Sequence, residues 1–398
     1  WEGDRASWVN GNVRVLDGPN AGAIAPAGAQ GFPGFQPSDA TNEIRDNEAF
    51  YLDLEGNAGS AVNLGAAARV ERYSDFGSQV TGKVQGRWEL VPGYAFRAAI
   101  GNGFRAPSLQ QEFFTATSTN FIAGVPYDIK TFTATSPIAQ ALGAEPLKPE
   151  KSVNVSVGFT AEPVKNLSLT VDGYRINIAD RIVLSENFTQ QAFRDTLRNR
   201  NPNFATIGGG RFFTNAIDTK TRGLDVVARY GIGFGSAGTF RLTTGMNWTK
   251  TKATRTSATP QQLRGLDATL FGPVEKKRIE RGQPRRTIHI NADYDVGNWI
   301  FTAHEAYFGA VTAATTLTAA PFYREQTYHG RWIADASLGY RFPRGMTFSV
   351  GANNIFNQYP DQVISVFSNN GVLHYPLVSP FGFNGGYYYT RLAWNPGR

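Results

Sequence analysis

Apolar and polar residues alternate with a period of two along most of this chain, which marks strands with one face of each kind. Residues 287–296 set Ile288, Ile290, Ala292, Tyr294 and Val296 against Thr287, His289, Asn291, Asp293 and Asp295. Residues 331–342 set Trp332, Ala334, Ala336, Leu338, Tyr340 and Phe342 against Arg331, Asp335, Ser337 and Arg341. Residues 239–249 place Phe240, Leu242, Thr244, Met246 and Trp248 opposite Arg241, Thr243, Gly245 and Asn247. Fourteen such segments are expected, near 8–16, 46–55, 61–72, 79–90, 93–103, 152–162, 165–178, 220–231, 237–250, 285–296, 298–308, 330–341, 344–354 and 383–394. Most approach the ~9–11 residues with which a tilted strand crosses a bilayer. The phase slips at Asp172-Gly173, which reads as a bulge, and it is ambiguous in 298–308.

The connections sharpen this pattern. Short turns at 56–60, Val91-Pro92, Pro163-Val164, 232–236, Gly297 and Pro343 alternate with long loops at 17–45, 104–151, 179–219, 251–284, 309–329 and 355–382. Only a brief link at 73–78 stands where a long one is due. In an up-and-down barrel this places every long loop on one rim, the asymmetry of outer-membrane barrels. Trp88, Trp299 and Trp394 fall at short-turn ends, whereas Trp248 and Trp332 fall near long-loop ends. Two aromatic girdles at the two membrane interfaces account for that placement. The expected fold is an all-β, transmembrane, up-and-down antiparallel barrel.

Composition mainly removes alternatives. No run of 18 apolar residues occurs in the 398, so a transmembrane helix is excluded. A mean hydropathy of −0.30 fits a barrel whose strands average out. The absence of cysteine removes disulfides, thiolate metal sites and cysteine nucleophiles. A net charge of +7, not interleaved with aromatics, gives no nucleic-acid groove. No signal peptide is present, so it has been removed or the chain starts inside a longer protein. Gly233-Phe-Gly235-Ser-Ala-Gly238 matches a dinucleotide fingerprint but lies between two strands, where no helix N-terminus can hold a pyrophosphate. His289 and His304 flank one tight turn and are expected to face each other across adjacent strands, without the third ligand a metal needs. No catalytic constellation is recognisable, and neither enzyme activity nor a cofactor is expected.

Three stretches carry a family resemblance. Gly101-Asn102-Gly103-Phe104-Arg105-Ala106-Pro107-Ser108-Leu109, followed by Glu112 and Phe113, resembles a strand end of TonB-dependent receptors. Gly351-Ala352-Asn353-Asn354-Ile355-Phe356-Asn357-Gln358-Tyr359-Pro360 is similar to their penultimate strand running into its loop, and 379–394 to their closing strand. Tyr388, Leu392 and Trp394 would there face lipid. The resemblance implies a barrel of about 22 strands closed by an N-terminal plug domain. It also implies a bacterial outer-membrane location and active import driven by the TonB complex through a short N-terminal peptide, the TonB box. The nutrient would be scarce or large: a siderophore or other iron chelate, cobalamin, or an oligosaccharide. Plug and coupling peptide are not recognisable, and fourteen strands fall about eight short of that count. Residues 1–398 are therefore expected to be the C-terminal part of such a barrel, with the plug and first strands outside this chain. A self-contained 14-stranded passive porin and a soluble carbohydrate-binding β-protein are the rival readings.

Candidate residues follow from the alternation. Arg69, Lys83, Arg87, Arg97, Asp225, Arg241, His289, Asp293 and Asp335 fall on polar faces, where charges of both signs require water, pairing or a polar plug. Residues 251–286 hold nine Lys or Arg (252, 255, 264, 276, 277, 278, 281, 285 and 286), which suit lipopolysaccharide phosphates, an anionic ligand or a solvated loop. Loop aromatics Tyr127, Phe132, Phe188, Phe212, Phe213, Tyr323, Tyr328 and Tyr375 either cap a ligand over the barrel mouth or pack the loops together.

Overall fold

The computed structural model describes residues 39–122, 125–200, 207–264, 270–316, 323–368 and 371–395. The expected strand near 8–16 lies outside them, as does most of the expected loop 17–45. The remaining thirteen expected strands form one antiparallel path. Its members are β1 (Asn47–Ala58), β2 (Val62–Tyr73), β3 (Gly77–Val91), β4 (Tyr94–Arg105), β7 (Glu150–Val164), β8 (Leu167–Leu184) and β9 (Gly209–Gly233). The path continues through β10 (Thr239–Thr256), β11 (Arg286–Val296), β12 (Trp299–Phe308), β15 (Arg331–Phe342), β16 (Met346–Asn353) and β17 (Tyr387–Trp394). Each strand pairs with the next, so the tight turns share one rim and the long connections the other. Gly93 and Gly297 adopt φ of 84° and 56° in two of those turns, a region that glycine enters without a Cβ penalty. Gly233–Gly238 is the turn between β9 and β10, as expected.

The pairing register shows a tilted wall. Reading straight across the strands, one row runs Trp88, Phe96, Phe159, Val171, Val226, Met246, Ile288, Tyr307 and Trp332. It starts beside a short turn and finishes at the long-loop rim. Strands perpendicular to such a row must therefore lean relative to the rims, which is the stagger that closes barrels. Every residue of this row is apolar or aromatic, and much of that face stands exposed: Val80 at 64%, Val157 at 57% and Leu392 at 70%. On the other face the partners are polar, as in Arg97 opposite Gly158, Asp172 opposite Asp225, and Arg241 opposite Asp293. Among the described residues, β1 and β17 each pair on one side only and not with each other. The described strands do not close a barrel.

The expected bulge at Asp172-Gly173 is not there. Gly158 pairs with Asp172 and Val157 with Gly173 in unbroken register, and the shifts fall elsewhere, between Ala161 and Val164 at the turn end against β7 and between Ile178 and Ile182 against β9. The pattern changes because of what the strand meets. Below this point the apolar side chains Leu169 and Val171 share the face of Phe159; beyond it Arg175 and Asn177 occupy that same face, and Tyr174 and Ile176 the opposite one. The ambiguous phase in 298–308 has a similar origin, since Glu305 takes a place on the apolar face between Ile290 and Ala334.

The long connections hold structure that alternation does not reveal. Between β4 and β7 stand α1 (Leu109–Phe113), the hairpin β5 (Ala116–Ile122) and β6 (Val125–Phe132), and α2 (Pro137–Ala141). Between β8 and β9 is α3 (Gln191–Arg200), between β10 and β11 is α4 (Pro273–Arg281), and between β12 and β15 is the hairpin β13 (Val311–Thr316) and β14 (Tyr323–Tyr328). β6 also pairs in parallel with the first residues of β9, from Ile129 opposite Gly209 to Phe132 opposite Phe212. The hydrophobic core lies here, above the wall. Phe132, Leu142, Phe188, Phe193, Phe212, Ile217, Leu263 and Phe271 are buried together, drawn from three different loops.

Candidate functional site

The polar face collects all of the expected wall residues. Arg69, Lys83, Arg87, Arg97, Asp225, Arg241, His289, Asp293 and Asp335 share it by register. Most are bonded to a neighbour. Arg97 reaches across β7 to Asp172, with Nε donating to Oδ1 at 2.9 Å. Arg87 pairs with Glu89 at 2.9 Å, and Arg241 and Arg341 both hold Asp295. Asn247 donates to Asp225, and Thr302 donates to Asp293 at 3.1 Å. These side chains remain half-exposed, Arg97 at 47% and Arg241 at 54%, as a hydrated wall requires. The His289 and His304 rings stack with centroids 5.8 Å apart, and His304 Nδ1 lies 3.3 Å from Asp335. Among the described residues no group of three His, Cys, Asp or Glu could hold a metal ion.

The motif stretches serve as fasteners at the long-loop rim. Gly103 and Phe104 end β4, with Phe104 packing edge-on against Tyr73 at 5.9 Å. Arg105 makes a bidentate pair with Glu150 at the start of β7, at 3.0 and 2.6 Å, the strong geometry for guanidinium and carboxylate. Glu150 also accepts from the Ile182 N–H at 2.8 Å, tying β4, β7 and β8 together. After Ala106, Pro107 presents its carbonyl to Arg45 at 2.7 Å, and Arg45 bonds Glu112 of α1 at 2.8 Å. Asn353 ends β16. Asn354, at φ 50°, bonds both the N–H and the carbonyl of Gln358 at 2.8 Å, closing the turn that follows β16. Phe356 stands 69% exposed. Tyr388, Leu392 and Trp394 share one face of β17, opposite Ala352, Phe348 and Met346.

The loop aromatics divide. Phe132, Phe188 and Phe212 are at most 4% exposed and pack the loops to one another, so they offer a ligand no surface. Tyr328 is likewise buried, its hydroxyl pushed up to about 12 by burial and by the Asp361 carboxylate. Tyr323 is exposed, and Tyr375 stacks between Tyr359 at 5.5 Å and Phe383 at 6.4 Å, leaving partly open rings at the rim. Tyr127 falls among side chains outside those described.

Alternation also missed a buried charge cluster under α4. Burial pushes the Glu275 carboxyl up to about 7 against the pull of Arg278, and Glu186 adds repulsion. Burial raises Glu186 as well, although it accepts the Glu275 N–H at 3.3 Å. The basic stretch 251–286 proves to be mixed. Lys252 and Arg255 lie on β10, Arg255 holds Asp218 and Asp180, and Lys277 of α4 reaches Glu325 of β14 at 2.8 Å.

Comparison with known proteins places this arrangement. Residues 3–355 match a family model described as TonB dependent receptor-like, beta-barrel. The fold is similar to the siderophore receptor PirA from Acinetobacter baumannii, at TM-score 0.58 and 16% identity, over 88% of this chain and 46% of that one. It is also similar to a variant of the ferric enterobactin receptor PfeA from Pseudomonas aeruginosa, at TM-score 0.56 and 14% identity, over 87% of this chain and 44% of that one. The ferripyoverdine receptor of the outer membrane of Pseudomonas aeruginosa matches at TM-score 0.50 and 13% identity, over 79% and 35%. No curated protein sequence matches. The chain thus spans less than half the length of these solved structures.

Proposed function

Because this chain belongs to the TonB-dependent receptor-like β-barrel family, we propose that it forms part of the wall and ligand-gathering rim of a bacterial outer-membrane receptor for energised nutrient uptake. The observation that carries this reading is the pair of edges at β1 and β17, unmatched among the described residues, beside a polar, ion-paired face. Unpaired backbone groups have no partner in hydrocarbon, so further strands must complete the wall. A barrel widened by those strands has a lumen that needs a plug, and a plugged lumen needs an energy input to open. The plug and the TonB contact accordingly belong to the part of the receptor outside residues 1–398. Outer-leaflet lipid covers the apolar face, and the rim rings of Tyr323, Tyr359 and Tyr375 are the wall's own contribution to ligand capture. Iron chelates are the first class to test, because the solved proteins named above are described as receptors for a siderophore, for ferripyoverdine and for ferric enterobactin.

The test is uptake of radiolabelled ferric siderophores by cells with and without the receptor's gene, each measured with and without an uncoupler. Gene-dependent uptake that stops in de-energised cells is expected. Gene-dependent uptake of small solutes that persists in de-energised cells would replace this reading with the passive porin.

A further inference from the structure

Above the aromatic level, the lipid-side face of three adjacent strands turns from apolar to cationic. On β10 the outward residues run Phe240, Leu242, Thr244, Met246 and Trp248, followed by Lys250 and Lys252. The register repeats this change on both neighbours inward along the chain. Trp248 lies opposite Leu224 of β9 and Leu224 opposite Gly173 of β8. One step higher, Lys250 faces Arg222 and Arg222 faces Arg175, three cations in one row across three strands. The next row is Lys252, Lys220 and Asn177. On the far side of β10, Arg286 sits opposite Trp248 itself.

Like charges directly opposite on paired strands repel, as Arg222 does both Lys250 and Arg175, and Arg175 and Arg222 also repel the adjacent Lys220. Among the described residues no carboxylate relieves it. Among the described residues none of these cations forms an ion pair, and the nearest acids on the same strands, Asp218 and Asp180, are both engaged by Arg255. Neighbouring strands lie ~4.8 Å apart and successive outward residues ~6.8 Å along a strand. The five cations of the two rows thus occupy a patch on the order of 10 Å by 7 Å. They stand one and two steps above Trp248, the height at which a lipid changes from acyl chain to headgroup.

We propose that Arg175, Lys220, Arg222, Lys250 and Lys252 form a binding site for the phosphorylated headgroup of outer-leaflet lipopolysaccharide, on the outside of the barrel. The inference rests on the membrane orientation proposed above. Exposed Val153 and Val155 of β7 flank the patch and take the acyl chains, while the cations take the phosphates. A nutrient on its way to the lumen would not cross this face, so the site anchors the receptor in its membrane.

The test uses the full receptor extracted in detergent, incubated with bisphosphorylated lipid A and read by native mass spectrometry. Retention should weaken about 30-fold in the double variant R222Q/K250Q, the loss of two cations at an anionic lipid surface. It should be unchanged in K165Q, a cation at the opposite rim, and inorganic phosphate at millimolar concentration should not displace the lipid. Heat-modifiable migration of each variant confirms a folded barrel. Equal retention by a folded R222Q/K250Q, or equal retention of dephosphorylated lipid A, overturns the site; displacement by inorganic phosphate overturns its assignment to lipid. A receptor that stays dispersed without detergent would instead overturn the membrane reading itself.

Discussion

The wall and the body above it solve the burial of apolar residues in opposite ways. In the wall, valines, leucines and tryptophans point away from the protein, and no described side chain covers them. In the long-loop body, phenylalanines from three loops are sealed from any solvent, as in a water-soluble domain. The first arrangement is stable only where the solvent is itself apolar, because a strand's backbone bonds are already satisfied sideways. The second is stable in water and gains from the hydrophobic effect directly. One polypeptide thus carries two inverted cores, and the boundary between them falls where Trp248 gives way to Lys250 on β10.

Substitutions that respect one region should damage the other. Phe212→Ala removes a fully buried ring that contacts Phe188 at 5.7 Å, and should cost the loop body ~3–5 kcal/mol. The expected outcome is rapid protease nicking of the long loops in a barrel that still migrates as folded. Loss of the barrel itself would mean that the two regions fold as one unit. Leu338→Arg makes the converse change, placing a charge on the apolar face near mid-wall, at ~2–4 kcal/mol. Assembly into the outer membrane should fall while isolated loop epitopes keep their antibody binding. An assembly yield equal to the parent's would put the phase of β15 in error.

A weaker effect separates the regions by pH. Glu275 titrates near 7 in the folded body and near 4.5 when unfolded, so its contribution is complete below about 4.5 and is lost as pH rises through about 7. Protease resistance of the α4 loop should therefore decline between pH 5 and pH 8, as ordinary assay points, and Glu275→Gln should flatten most of that decline. Burial also raises Glu186, so a residual slope is expected. Smallest of all, Arg241→Gln should shift barrel stability by only ~0–1 kcal/mol in thermal melts, because the pair is half-exposed and Asp295 keeps Arg341.

Much of the wall was legible in the sequence because it obeys a single local rule. A period of two needs no knowledge of partners, and the alternation of long and short connections then fixes which ends share a rim. What escaped was whatever depends on contacts between distant segments. The parallel pairing of Phe132 with Phe212 spans eighty positions and leaves no periodic trace. Short hairpins such as β5 and β6 look like any polar loop, and the loop aromatics gave no sign of whether they faced a ligand or one another. The misread at Asp172-Gly173 is the most instructive. A rule of apolar residues outward along an entire strand turns a change of polarity into a bulge. Strands that outgrow the membrane keep their register and change their solvent instead, and the residues that broke the rule, Arg175 and Asn177, lie within the cationic patch.

The central claim is that one face of this sheet meets lipid and the other water, with the boundary above Trp248. Spin labels on single cysteines along 239–252 of the reconstituted receptor test it most directly, and the chain itself contains no cysteine to interfere. Oxygen collision rates should be high at 240, 242, 244, 246 and 248, while a polar nickel reagent should collide preferentially at 241, 243, 245 and 247. From 250 onward the outward positions should become accessible to the polar reagent as well. Equal access of the polar reagent to both faces along the whole strand, or the inverse alternation, would contradict the account.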